Sequence, residues 1–427
     1  MLRRYAAGKA IVKPSSLDRF AGHRNACVNA LASNRWVVLA VLFLARTAMG
    51  FQFQSAAALT PSLMSKLSID YTQLGWLVGI YLLPGIVIAY PGGLLGQRFG
   101  DKRVTILAMA LMVAGGLLTG ISHHYPVFLI GRLISGIGAV LLNVFLTKIA
   151  ADWFAGREVG TALALLISSW PIGIGLALLV LPWAAETSSV AAAFIMTAAA
   201  AAMVLLLLAA IYRVPDGADK APVAGGAGLG LSRREFGLVS LAGVVWALFN
   251  CGYIILISFT PSLLIAQGMP VQDAAIATSL ASWTVVPALV LGGLLVDRIG
   301  YATALMTASL AILGLSIMLM PSVSSFALMA FIGAVGGLPC GAMLVLPVEV
   351  LRPQNRAPGM GTFYTWYYLI IALLTPVAGF VRDFTGDPGG PLIFAGLLEI
   401  AAIAALILLR LRQHRYGLRS LKPMAVQ

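Results

Sequence analysis

The sequence predicts an all-α membrane protein: twelve transmembrane helices in two parallel-repeat six-helix bundles. Three observations carry that prediction. First, 60% of the 427 residues are hydrophobic and only 10% are charged, with a mean hydropathy of +0.95. A soluble domain has about 45–50% apolar and roughly 25% charged residues. Second, apolar runs of about 20 residues, the length that crosses a hydrocarbon layer, recur between polar breaks. Third, short words repeat at one fixed offset: TPSL at 60–63 and 260–263, and GGLL at 92–95 and 292–295.

The runs fall in order at 36–59, 72–95, 103–122, 125–149, 158–182 and 189–212, then at 237–264, 273–296, 302–320, 324–349, 356–381 and 389–411. The repeated words pair span 1 with span 7 and span 2 with span 8. Gly136 and Gly138 match Gly336, which pairs span 4 with span 10, and Gly160 matches Gly361 one residue further on. An even number of spans per unit gives both copies the same orientation, the parallel-repeat pattern of one class of transport folds. Between the copies, PDGADKAPVAGGAGLG reads as a flexible linker. The organisation is therefore a basic tail at 1–35, a bundle at 36–212, a linker at 213–235, a second bundle at 236–411 and a basic tail at 412–427.

Charge sets the orientation. The formal net charge is +13. All Lys and Arg except Arg46, Lys66, Arg132 and Arg382 lie in segments that this threading puts on the side of the termini. The positive-inside rule makes that side cytoplasmic, and the basic tails then face anionic headgroups. This placement accounts for the charge without nucleic acid. Residues 1–35 lack the apolar core of a signal peptide. The three cysteines, Cys27, Cys251 and Cys340, are too far apart in sequence to form a disulfide or metal pattern. No cofactor or metal is expected. His123 and His124 share a turn but lack a third ligand.

The stretch GGLLGQRFGDKRV at 92–104 resembles the loop signature between spans 2 and 3 of the major facilitator superfamily, and GLLVDRIG at 293–300 is its second copy. The pieces GREVGTA and PVAGFVRDFTG fit the same style. The resemblance runs from about residue 36 to 411. It implies that spans 1, 4, 7 and 10 line a central cavity, that spans 2, 5, 8 and 11 flank it, and that transport is secondary. It also implies a cytoplasmic gate built from Gly93, Gln97, Arg98, Gly100, Asp297 and Arg298, with Asp152 and Glu349 as partners. Asp297 would cap the start of span 5, where a carboxylate meets the positive helix end. Gln97 stands where the family has an acid, so its latch is uncharged. The alternative is that these charges only fix topology.

Arg46 sits in the middle of span 1, where a charge costs roughly 2.5–3.5 kcal/mol unless it faces water or an anion. Arg132 in span 4 shares a face with Gly136 and Asn143. It is either a second cavity cation or a structural arginine bonded to carbonyls. Arginine in place of acids predicts an anionic solute, since its planar fork matches an oxyanion. Asn250 and Tyr253 stand one turn apart on span 7, Asn250 at the counterpart of Gly50. Trp170, Trp283 and Trp366 lie in mid-span, with Tyr364 and Tyr367 beside the last. Prolines at 84, 171, 287, 339, 347 and 376 should kink their spans. Glu399 is the one acid well inside a span, and span 12 offers no evident use for it.

No nucleotide-binding GxxxxGK[ST] loop is present, which argues against an ATP-driven pump, and no HExxH or GxSxG motif indicates an enzyme. A small, anionic solute is the leading expectation, in a small-anion branch such as the cyanate, nitrate or organic-acid transporters. A coupled proton or counter-anion and the inner membrane lipid would be its partners. The runner-up is a proton-driven exporter of drugs or metabolites, although span 5 reads SSWPIGIG and lacks the usual Gly-Pro order.

Overall fold

The computed structural model describes residues 34–88, 95, 98–155, 158–212 and 231–417. Among these, eleven helical segments are long and apolar enough to cross a membrane, and no strand is present. The first six spans contain α1 (Arg35–Ala58), α2 (Thr60–Leu67), α3 (Tyr71–Gly79), α4 (Gly85–Ile88), α5 (Asp101–Ile121), α6 (Tyr125–Trp153), α7 (Val159–Thr187) and α8 (Val190–Ile211). The second six contain α9 (Arg233–Ala266), α10 (Val271–Ile299), α11 (Ala302–Leu319), α12 (Phe326–Gly337), α13 (Cys340–Val350), α14 (Arg356–Thr385) and α15 (Gly390–Arg415). Helices dominate because a bilayer offers the backbone no alternative hydrogen-bond partner.

Two expected spans are interrupted at prolines. Span 2 stops at Gly79 and resumes at Gly85, with tight bonds such as Gly85 N–H to Leu82 O between. Pro84 supplies no N–H and crowds the carbonyl four residues back, so the helix cannot run through it. Span 10 breaks at Leu338–Pro339, between α12 and α13. Pro171, Pro287, Pro347 and Pro376 stay inside continuous helices. The TPSL repeat is identical in sequence but not in conformation. Thr60 opens the short helix α2, with Pro61 in its first turn, whereas Thr260–Leu263 lie inside α9.

Among the described residues, Lys66 and Arg382 lie in helix ends opposite to those of Arg35 and Arg415; their side is called here the distal face and the other the terminal face. Many large apolar side chains turn outward, among them Val87, Leu107, Leu206, Leu315 and Leu411. That is the inverse of a water-soluble surface and suits a hydrocarbon solvent. Within the first six spans α1 packs on α7 and α5 on α6 and α8. Within the second, α9 packs on α14 and α15, and α10 on α12. The two sets meet chiefly through α3 against α14 and α7 against α10.

These seams close the distal side. Along α3, a Cβ placed on Gly75 would lie 2.7 Å from the Thr375 carbonyl, and one on Gly79 would lie 2.6 Å from the Ala372 carbonyl. Only glycine lets the two backbones come this close. In the other seam, the Gln272 amide donates to the Leu179 carbonyl at 3.4 Å. Between α1 and α9, the Gln54 amide donates to the Ile257 carbonyl at 3.1 Å.

Candidate functional site

Between the two sets of helices lies a cavity of about 360 Å³. It is bounded by α1, α6, α7, α9, α10, α13 and α14, and it reaches Thr147, Leu163, Val290 and Leu344 in the terminal-side halves of their spans. Seven residues expected from the sequence line it: Arg46, Asn143, Trp170, Asn250, Tyr253, Tyr364 and Tyr367. Its wall is mostly carbon.

Arg46 is the cation of this wall. One terminal nitrogen, Nη1, donates to the Asn143 Oδ1 at 2.6 Å, and the Asn143 amide in turn reaches the Tyr368 hydroxyl at 3.4 Å. A polar chain thus crosses from α1 through α6 to α14. The Arg46 Nε is buried and has no hydrogen-bond partner among the described residues. No carboxylate lies within 4 Å of Arg46 among the described residues; their ion pairs are Arg35–Glu158, Lys148–Asp101 and Arg410–Glu349. A guanidinium in such surroundings carries unspent donors and an uncompensated charge, which favours an anion that supplies both.

The aromatic wall comes mainly from α14 and α9. Tyr364, Tyr367 and Tyr368 follow one helix face, and Trp246 lies over Tyr367 with ring centroids 6.4 Å apart and planes 28° apart. Tyr367 and Tyr368 meet edge to face at 5.0 Å. On the opposite side Trp170 packs on Phe53 at 5.2 Å. Trp246, Phe249 and Tyr368 escaped the sequence reading. The signal was available in TFYTWYYL at 362–369, where spacings of three and four put Tyr364, Tyr367 and Tyr368 on one face. Asn250 donates to the Trp246 carbonyl at 2.8 Å and leaves its oxygen for other partners.

Three expected cavity residues lie elsewhere. Arg132 is 1% exposed and outside the cavity lining. Its Nε donates to the Leu77 carbonyl at 2.9 Å, while Nη1 and Nη2 donate to the carbonyls of Gln52 and Phe53, both at 2.8 Å. The guanidinium also lies over the Tyr81 ring at 4.5 Å. It is the structural arginine of the two sequence alternatives, tying α6 to α1 and α3. Trp283 packs against Gly175 in the α7–α10 seam, and Trp366 against Gly243 of α9. Helix rotation turns both away from the cavity.

At the terminal face, Gly93 and Gln97 lie outside the described residues, as does the side chain of Asp297. Arg98 is exposed and lies 5.4 Å from the Phe99 ring, Gly100 adopts φ +83° ahead of α5, and Arg298 is exposed. Glu349 pairs with Arg410 of α15 at 2.5 Å. Asp101 pairs with Lys148 at 2.5 Å, and Asp152 forms no ion pair among the described residues. Lys102 donates to the Tyr212 and Ala209 carbonyls, closing the end of α8. Each described ion pair at this face stays within its own set of six spans.

The distal face has a latch the sequence did not reveal. The Asp383 carboxylate of α14 accepts the backbone N–H groups of Tyr71 and Thr72 at the start of α3. Beside it, Arg382 lies 3.9 Å from the Tyr71 ring centroid and donates to the Tyr71 hydroxyl at 2.8 Å. The arrangement is a solute-sized cavity between two helix sets, joined distally by bonds that cross between them, while the ion pairs described at the other face each stay within one set.

Such a fold and cavity define a multi-pass membrane carrier rather than an enzyme. The family model of the Major Facilitator Superfamily matches residues 41–373, and the chain belongs to that superfamily. Over 149 residues it is 30% identical to the 3-(3-hydroxy-phenyl)propionate transporter of Escherichia coli (strain K12), covering 34% of this chain and 36% of that protein. It is 25% identical over 155 residues to the choline/ethanolamine transporter FLVCR2 of Rattus norvegicus, covering 36% of this chain and 28% of that protein. It is 31% identical over 100 residues to the probable nitrate transporter NarT of Staphylococcus haemolyticus, covering 23% of this chain and 26% of that protein. The matched stretches thus span well under half the length of these relatives. The inward-open structure of the xylose transporter XylE of Escherichia coli superposes with a TM-score of 0.71 at 16% identity, over 88% of this chain and 96% of that one, which is a likeness of fold.

Proposed function

We propose that this secondary transporter carries a small organic monoanion with a flat, apolar body across the cytoplasmic membrane by alternating access. The carrying observation is Arg46, with its buried Nε unused and no carboxylate partner among the described residues, in a wall rich in aromatic rings. The anion's carboxylate sits against Arg46 and Asn143. Its body lies among Trp170, Trp246, Tyr364 and Tyr367, with Asn250 and Tyr253 at the far wall. A charge-assisted hydrogen bond contributes about 1.5–3 kcal/mol, so the arginine accounts for one to two decades of affinity. The volume sits at the small end of ligand cavities, roughly 300–1,000 Å³, and fits one ring with a short chain. The hydroxyphenylpropionate relative supports an aromatic carboxylate, and the nitrate relative supports an anion.

In this reading the termini are cytoplasmic, and bundles 36–212 and 236–411 rock about the cavity. When the distal latch opens, Gly93, Gln97, Arg98, Gly100, Asp297 and Arg298 close the terminal face with Asp152 and Glu349. Stacked aromatic rings also suit a quaternary ammonium, as the choline relative illustrates, but the Arg46 charge at the centre of the wall opposes a cation.

Thermal unfolding of the purified protein tests the reading, with 3-phenylpropionate, nitrate and choline as probes, and with Arg46→Gln alongside. A ligand that binds the folded state raises Tm by mass action. The expected result is stabilisation of the wild type by 3-phenylpropionate and no effect on Arg46→Gln. Stabilisation of both proteins by choline, with none by either anion, would replace the reading with cation transport.

A further inference from the structure

Glu399 is fully buried in α15, and neither carboxyl oxygen has a hydrogen-bond partner among the described residues. Its place is shaped by missing side chains on two neighbours. A Cβ on Gly252 of α9 would collide with the Glu399 Oε1, and one on Gly314 of α11 would lie 3.1 Å from the Glu399 Cβ. The elements packed on α15 are α9, α11 and α14. The titratable groups that face the carboxyl are two thiols, Cys251 of α9 and Cys340 of α13; no charged group faces it from α9, α11, α13 or α14 among the described residues.

The slot is separated from the cavity by little. Gly252 precedes Tyr253, and both Tyr253 and Cys340 are cavity wall. An ionised carboxyl in this slot would be an unpaired charge in apolar packing, which is strongly unfavourable. The neutral acid avoids that cost. A buried acid with no partner weakens packing without return, and membrane interiors hold such groups where they serve ion or proton movement. α9, which forms one wall of the slot, also accepts the Gln54 amide of the other set at its Ile257 carbonyl, so a motion that separates the two sets acts on this wall.

We propose that Glu399 is the proton-binding site that couples solute movement to the proton gradient. One O–H bond forms on a Glu399 oxygen with a proton taken from water on one side, and the same proton returns to water on the other side. One proton moving with one monoanion makes the carried load electroneutral. The inference rests on the transport reading but not on which anion is carried.

Two measurements on the full chain in proteoliposomes test it. Infrared difference spectra between acidic and alkaline pH need no substrate. Beside the bands of the other carboxyl groups, the wild type is expected to show a titrating C=O component at the higher frequency of an acid without hydrogen bonds, and Glu399→Gln to lack that component. The second measurement follows 3-phenylpropionate. Glu399→Gln is expected to lose accumulation driven by a pH gradient while keeping exchange of labelled for unlabelled solute. A band unchanged in Glu399→Gln overturns the proposal, as does retained pH-driven accumulation. Loss of exchange in both Glu399→Gln and Glu399→Asp also overturns it, since that marks a packing role. If the wild type carries no 3-phenylpropionate, the substrate reading fails and the infrared result alone decides the role of Glu399.

Discussion

Asp383 of α14 and Thr72 of α3 are 311 positions apart in sequence, yet the Asp383 carboxylate accepts the Thr72 backbone N–H at 2.7 Å and its hydroxyl at 2.6 Å. It also accepts the Tyr71 N–H at 3.1 Å. The first turn of a helix has unpaired donors and a positive end. Here Asp70 satisfies the N–H of Gln73 from within the same segment, and the other set of spans supplies the rest. The bond joins the two sets at the distal face, so it must break whenever that face opens.

Asp383→Ala should therefore favour the distal-open state. A side-chain cap of this type contributes about 1 kcal/mol, with a range of 0.5–2 kcal/mol. The population of distal-open carriers should rise several-fold. Spin labels placed on the distal ends of α3 and α14 would read this as a longer distance component. An unchanged distance distribution would show that the seam below, not Asp383, holds the face shut.

Tyr71 separates two contributions at the same latch. Tyr71→Phe removes the hydroxyl that Arg382 reaches and keeps the ring under the guanidinium. Tyr71→Ala removes both. A cation–π contact at a partly wet site is worth about 0.5–1 kcal/mol. Label distances should move little in Tyr71→Phe and clearly in Tyr71→Ala. Equal effects would assign the latch to the hydrogen bond alone.

The two buried arginines should respond in opposite ways. Arg132→Gln strips donors from the carbonyls of Leu77, Gln52 and Phe53, and each buried group left unsatisfied costs about 1–3 kcal/mol. Its yield of folded protein and its Tm should fall well below wild type. Arg46→Gln should keep Tm near wild type, because few bonds are lost, and should abolish the stabilisation by 3-phenylpropionate. Matching thermal curves for the two variants would contradict the division of roles.

The fold was legible because the bilayer simplifies the problem: span length, charge placement and the repeated words TPSL and GGLL each reflect one physical demand. Arg46 was legible for the same reason, since a charge in mid-span requires a polar surrounding. Which surrounding was not. Arg132 meets the demand with backbone carbonyls, and the sequence offers no way to count those. Trp283 and Trp366 were read by depth alone, while their helices' rotation turns them into packing. The latch is not evident in PVAGFVRDFTG, because nothing in that stretch tells which helix Asp383 caps. An acid near a helix end looks like topology until the helix it caps is known.

The last prediction concerns the seam below the latch. Gly79 of α3 lies against the Ala372 backbone of α14, and a Cβ there would come within 2.6 Å of the Ala372 carbonyl oxygen. The obstacle is backbone on another helix, so no side-chain rotation relieves it. Gly79→Ala must push α3 and α14 apart, and overpacking of this kind costs about 1–3 kcal/mol. Because the seam exists only while the distal face is shut, the cost falls on that state and not on the open one. Each 1.4 kcal/mol is tenfold in population, so carriers should shift strongly toward distal-open while staying folded. Thiol labelling of a cysteine introduced in the distal half of α14 should quicken about tenfold, with Tm nearly unchanged. A large drop in Tm without faster labelling would mean that Gly79 serves folding in every state of the cycle, and that the seam does not act as a gate.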